Sequence, residues 1–237
     1  MKLDILAFAA HPDDVELSCG GTIIKQVKLG YKVGVVDLTQ GELGSRGTAE
    51  TRKIEATNSS KILGLSVREN LKMADGFFEI SQENKLKIVQ IIRKYQPKVV
   101  FANSINDRHP DHGRASKLVS EACFLAGLAK IITTENGLTQ KAYRPEVIYH
   151  YIQDYYIKPD FIVDVSDFID LKIESVKAYK TQFFDPNSLE PPTPISGEDF
   201  FEFLKARSRE FGRLIQREFG EGFTVEKPLE IKDVMQS

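Results

Sequence analysis

Cysteine is scarce in this 237-residue chain, which has two, Cys19 and Cys123. Two thiols cannot build the disulfide framework of a small secreted protein, so a reducing cytoplasm is the expected compartment. No apolar run approaches the roughly 20 residues that a membrane-spanning helix needs, and no membrane partner is expected. The opening MKLDILAF has an early aspartate, no long apolar core and no cleavage site, which argues against a secretory signal. Excess charge is missing too. A formal net charge of -2 and a pI near 6.1 leave no basic footprint for nucleic acid. Histidine is scarce as well, with 4 in all. What remains is ordinary for a soluble globular protein, 41% hydrophobic and 28% charged, and long enough to bury a sizeable core.

Short apolar runs of strand type alternate with helical patterns. Strands are expected at Leu3–Ala9, Lys32–Leu38, Lys98–Ala102, Glu146–Ile152 and Phe161–Val165. Helices are expected at Thr22–Leu29, Ala49–Leu63, Ser81–Tyr95 and Arg114–Ala129, with another starting near Val165 and a charged amphipathic one over Glu198–Phe219. Gly30, Gly64 and Pro97 supply stop signals. This alternation predicts an α/β fold, an open, mostly parallel Rossmann-like sheet with helices on both faces. No Ser/Gly-rich linker or repeat divides the chain, and the proline cluster LEPPTPISG is short enough to be a loop, so residues 1–237 read as a single domain.

Three of the histidines fall in two clusters, His11-Pro12-Asp13-Asp14 and His109-Pro110-Asp111-His112. The first follows strand Leu3–Ala9 at once, and the second follows strand Lys98–Ala102 after a short loop. Both therefore lie beyond the carboxyl ends of their strands, the edge where open α/β sheets bind ligands. Two imidazoles and a carboxylate, with one position left open, form a typical catalytic zinc shell. Zinc lowers the pKa of its water to roughly 7 and polarises a carbonyl, which suits amide hydrolysis. The clusters hold more groups than a metal uses, leaving candidates for a general base and an oxyanion stabiliser. Either cluster alone could be a charged turn capping a helix. A dinucleotide site would need a glycine-bearing turn after the first strand, and the two aspartates there would repel a phosphate. Spacing does not say which of His109 and His112 would hold a metal.

The segments AHPDDVELSCGG, GELGSRGTAETRKIEA, VRENLKMADGFF, NDRHPDHGRAS and KAYKTQFFDPNS resemble the LmbE-like (PIG-L-like) N-acetylglucosamine deacetylases. Within that family they are most similar to the bacillithiol-pathway branch, which deacetylates N-acetylglucosaminyl-malate. The resemblance implies one zinc ion per chain, or another divalent metal, held by His11, Asp14 and His112. It implies Asp13 as general base, and His109 as general acid or oxyanion stabiliser oriented by Asp111. Arg52 is implied to line the substrate pocket. One departure stands out: a family tyrosine thought to reach the reacting carbonyl is replaced by Pro194, which donates no hydrogen bond. The family also implies a homo-oligomer, a trimer or hexamer.

Arg46, Arg52, Arg68 and Arg108 flank these segments, and one or two of them, with Arg52 and Arg108 foremost, are expected to hold the carboxylates of a small sugar-conjugate substrate. Cys19 and the stripe Phe200, Phe201, Phe203, Leu204, Phe211 and Leu214 read as core, His150 as a partly buried strand histidine, and Gly20-Gly21 as a close helix–sheet contact. Two other enzyme readings stay open, deacetylation of free N-acetylglucosamine or chitin fragments and cleavage of a thiol conjugate. So does a zinc-dependent sugar-binding protein without catalysis.

Overall fold

Strand β1 (Ile5–Ala9) is apolar and buried along its whole length, as a strand covered on both faces of a parallel sheet must be. The computed structural model, which describes residues 1–231, 233 and 235, puts it near the middle of a seven-stranded sheet of order β3-β2-β1-β4-β7-β9-β8. Strands β2 (Val33–Thr39) and β4 (Val99–Ala102) flank β1 in parallel, with Ile5 opposite both Val33 and Val99. Strand β3 (Val67–Met73) extends the sheet beyond β2, and β5 (Thr134–Glu135) and β6 (Leu138–Thr139) form a separate small ribbon. Strand β7 (Val147–Tyr151) pairs parallel to β4. Of the last two, β8 (Phe161–Asp164) reaches the sheet through β9 (Gly220–Val225), which runs antiparallel to both of its neighbours.

Helices α1 (Asp14–Lys28), α2 (Ala49–Leu63) and α5 (Ile169–Lys177) pack together, and α3 (Gln82–Tyr95) packs on α4 (Pro110–Ala126). Alternation along β1 explains the two layers. Ile5, Ala7 and Ala9 join the core that includes Val15 and Ile23 of α1, while Leu6, Phe8 and Ala10 join the core of α3 and α4. Helix α6 (Asp199–Leu214) lies over β8 and β9. Among the described residues no helix is long and apolar enough to cross a membrane.

The α/β reading holds, and several boundaries move. The first helix begins at Asp14 rather than Thr22, with a break at Cys19 (φ -136°). The break frees the amides of Gly21 and Thr22, and the carboxylate of Glu221 on β9 accepts both, at 3.0 and 2.6 Å. Of the two glycines only Gly21 packs at the sheet, where a Cβ would stand 2.9 Å from Val165 Cβ and 3.1 Å from Glu221 Oε1, while Gly20 faces Lys172 and Ser175 of α5. Helix α4 starts at Pro110, whose ring suits the first helical position, and ends at Ala126. The helix expected through Phe219 stops at Leu214 and gives way to β9. A short 3₁₀ turn, Ser166–Phe168, precedes α5.

Strand order decides where the site lies. The chain leaves β1 toward β2 on one side and later returns to place β4 on the other, so β1 and β4 diverge at a topological switch point. Both histidine clusters follow these two strands.

Candidate metal and active site

Two hydrogen bonds join the strand ends at the crevice. Ala10 donates its backbone N–H to Asn103 Oδ1 (2.9 Å), and its carbonyl accepts from Thr39 (3.1 Å). Pro12 then turns the chain, and Asp13 adopts φ 121°, a conformation few non-glycine residues occupy and one that costs roughly 1–3 kcal/mol. Its side chain caps nothing. Strain without a cap goes against a merely structural turn: the distortion presents Asp13 and Asp14, both buried, to the same cavity.

Asp14 is the hub. Its Oδ1 lies 3.1 Å from His112 Nε2, and its Oδ2 lies 3.7 Å from His11 Nδ1. The first separation suits the roughly 3.3 Å between neighbouring ligands of a tetrahedral ion with bonds near 2.0 Å, and the second sets His11 beside the same carboxylate. Each histidine is backed on its far nitrogen by a carboxylate, His11 Nε2 by Asp75 (3.0 Å) and His112 Nδ1 by Asp107. A carboxylate behind each imidazole fixes the tautomer that aims the other nitrogen forward, the usual support of a metal-binding histidine. The donor set therefore fits a divalent metal. Two other groupings of candidate donors also share His11: His11 with His109 and His112, and His11 with Asp75 and Asp111. In the second, Asp75 and Asp111 accept backbone N–H groups from Leu43 (2.9 Å) and Gly76 (2.8 Å), and both stand on the Nε2 side of His11, whereas Asp14 stands on its Nδ1 side.

Electrostatics point the same way. Burial would lower the pKa of His11, yet hydrogen bonds to Asp111 and Asp75 and the charge of Asp14 lift it to about 10. His112 rises to about 9 in spite of burial, through Asp14 and Asp107. These two histidines hold protons where a cation would replace them. Asp13 is pushed up to about 7 by burial, with Arg52 pulling the other way. His109 is held below the usual histidine range by burial and by the charges of His11 and His112.

His109 caps α4, its Nδ1 accepting the Asp111 N–H at 3.3 Å, so the ring proton of the neutral imidazole sits on Nε2. Here the expected arrangement differs: the Asp111 backbone amide orients His109, while the Asp111 carboxylate accepts from Gly76 and Arg114 and lies 3.4 Å from His11 Nε2. Arg52 is buried in the cavity wall with Nη1 3.9 Å from Asp13, and Gly41 leaves room for it, since a Cβ there would come within 2.4 Å of that nitrogen. Arg108 lies at the rim, half-exposed and paired with Asp154 at 2.9 Å. Arg46 also lines the cavity, but Arg68 is locked away from it between Asp37 and Glu16.

The cavity holds about 570 Å³. Part of its wall comes from α6, so the aromatic stripe divides: Phe201 is buried away from the cavity, Phe203 and the buried Phe211 line it, and Leu214 is exposed outside it. Pro194 stands at the rim beside Thr193, whose Oγ1 is buried with no hydrogen-bond partner. Cys19 is core, and His150 is fully buried in β7 against Ser116 and Glu226. Glu42 accepts the Asp75 N–H at 3.0 Å. Sequence reasoning did not single out Asp75, Asp107, Asn103 and Gln153. Asp75 sits in the ADGFF turn and Asp107 in NDRHPDH, so their segments stood out although the residues did not.

A family model described as "PIG-L: GlcNAc-PI de-N-acetylase" matches residues 6–123. The diacetylchitobiose deacetylase of Thermococcus kodakarensis is 30% identical over 191 residues, covering 76% of this chain and 70% of the relative. Among solved structures, the conserved protein TT1542 from Thermus thermophilus is 39% identical with a TM-score of 0.85, over 99% of each chain. The N,N'-diacetylchitobiose deacetylase from Pyrococcus horikoshii is 27% identical with a TM-score of 0.78, over 93% of this chain and 82% of that one.

Proposed function

This chain belongs to the PIG-L (GlcNAc-PI de-N-acetylase) family of N-deacetylases, and from that premise we propose that it uses zinc to remove acetyl from N-acetylglucosaminyl-malate. One observation carries the metal-dependent reading: His11 and His112, each backed by a carboxylate, converge on Asp14 from two different strand ends.

Zinc held by His11, Asp14 and His112 would supply Lewis acidity to the acetyl carbonyl and to water. Asp13 takes the proton of the attacking water; burial pushes the pKa of its carboxyl up while Arg52 pulls it down. A bound cation would draw it down further, toward a carboxylate ready to accept. His109, neutral with its proton on Nε2, hydrogen-bonds the tetrahedral oxygen, and the proton that Asp13 takes from water passes to the leaving amine. Asp111 keeps His109 in that tautomer through its backbone and steadies His11 through its carboxylate.

The malate assignment is supported by the likeness of GELGSRGTAETR and RENLKMADGF to one branch of the family. It is supported too by Arg46 and Arg52 on the cavity wall and Arg108 at its rim, where a guanidinium can grip a carboxylate with two parallel bonds. The two cysteines are unpaired and buried, in keeping with a cytoplasmic enzyme.

The test is release of free amine from N-acetylglucosaminyl-malate, N-acetylglucosamine and N,N'-diacetylchitobiose, by zinc-loaded and chelator-stripped protein. A charged hydrogen bond contributes about 1.5–3 kcal/mol, so kcat/KM should favour the malate conjugate by roughly tenfold to a hundredfold. Equal turnover of all three would replace this reading with a general sugar deacetylase. No turnover at full zinc occupancy would leave a sugar-binding role.

A further inference from the structure

Two side-chain amides grip the Asp14 carboxylate from behind. Asn103 Nδ2 donates to Asp14 Oδ2 at 2.9 Å, and Gln153 Nε2 donates to Oδ1 at 3.1 Å. The orientation of both amides is forced, because a backbone N–H can only donate. Ala10 N–H needs the oxygen of Asn103 (2.9 Å) and Ser104 N–H needs that of Gln153 (3.1 Å), so each NH₂ must face away from those donors. The amides also brace each other, Asn103 Nδ2 to Gln153 Oε1 at 3.0 Å. Asn103 is fixed once more through its carbonyl, which lies 3.0 Å from His150 Nδ1.

Counting lone pairs gives the arrangement a meaning. A carboxylate offers about four acceptor sites, two on each oxygen. On Oδ2 both are taken, by the His11 N–H (2.9 Å) and by Asn103. On Oδ1 Gln153 takes one, and the other is left beside His112 Nε2.

We propose that Asn103 and Gln153 are positioning residues that make Asp14 a one-oxygen metal ligand, through Oδ1 alone. This rests on the ligand set proposed above. The clamp also couples the ends of β4 and β7 to the metal, since Asn103 follows one strand and Gln153 the other. Removing such outer partners typically weakens metal binding about tenfold to a hundredfold.

The experiment measures zinc affinity by competition with a chromophoric chelator, and the visible spectrum of the cobalt-substituted protein, for Asn103→Ala, Gln153→Met and Asp14→Ala. Gln153→Met preserves volume while deleting the donor, and it carries the test if Asn103→Ala fails to fold. The clamp predicts zinc bound one per chain but about ten- to a hundredfold more weakly in each amide variant, with a cobalt spectrum altered as the freed carboxylate reorients. Affinity within about twofold of wild type and an unchanged cobalt spectrum in Gln153→Met, while Asp14→Ala loses the metal, would overturn the clamp alone. Wild-type affinity in Asp14→Ala would instead overturn the ligand set.

Discussion

Replacing Asp75 by asparagine probes the metal centre without touching the proposed ligands. One carboxylate oxygen of Asp75 accepts from His11 Nε2 at 3.0 Å and the other from the Leu43 N–H at 2.9 Å. Both neighbours are donors, so a carboxylate satisfies both. An asparagine carries a single oxygen and satisfies one of them, leaving its NH₂ against the other. Either His11 loses the acceptor that fixes its tautomer or the Leu43 amide is stranded, and an unmet buried donor costs about 1–3 kcal/mol. When the loss falls on His11, zinc affinity drops about tenfold to a hundredfold, equivalent to roughly 1.4–2.7 kcal/mol. Chelator competition reads this directly, with thermal unfolding to show that the fold persists. The outcome separates the groupings around His11. A moderate loss means that Asp75 supports His11 from behind. Complete loss of binding would make Asp75 itself a ligand, together with Asp111, and affinity within about twofold of wild type with thermal unfolding also unchanged would refute the reasoning.

Asp13→Asn should keep zinc within a few fold and lower kcat by about 10²–10⁴, the usual contribution of a positioned base; a variant turning over like wild type sinks the role. Asp13→Gly should unfold at higher denaturant, gaining about 1 kcal/mol, because glycine adopts φ 121° without strain; equal or lower stability would show that the turn is not strained. Arg68→Met strands Asp37 and Glu16, which face Arg68 at 2.8 and 2.6 Å, and should destabilise by about 3–5 kcal/mol in urea unfolding. A loss below about 1 kcal/mol would mean that those carboxylates find other partners.

Asp13 shows how the fold supports the chemistry. Its unfavourable backbone lies between β1, whose side chains are buried on both faces, and the first turn of α1, which the Glu221 carboxylate anchors farther along. Packing on both sides holds a turn that an isolated peptide would abandon. Glu221 is in turn paired with the buried Lys172 at 2.7 Å, so the last strand and α5 help hold the first helix in place.

The sequence alone determined the fold class, because apolar runs and helical periods record which faces of each element leave water, and that record is local. It also determined the two clusters and the edge of the sheet on which they lie, since one follows its strand at once and the other after a short loop. Polar edges escaped it: VRENLKM is partly buried from Val67 to Leu71 without alternation, and its strand forms where β2 offers a ladder. GEGFTV lies just beyond the expected helix with no element expected there, because only pairing with β7 and β8 makes it a strand. The tertiary structure alone decided that β1 and β4 are neighbours, and with them Asp14, His112, Asn103 and Gln153. It also decided that Arg68 is buried in an ion pair while Arg52 faces the cavity, and that His109 takes its orientation from a backbone amide. Lone polar side chains in loops follow no period, so their partners are set by the path of the crossovers and by the directions in which hydrogen bonds must close.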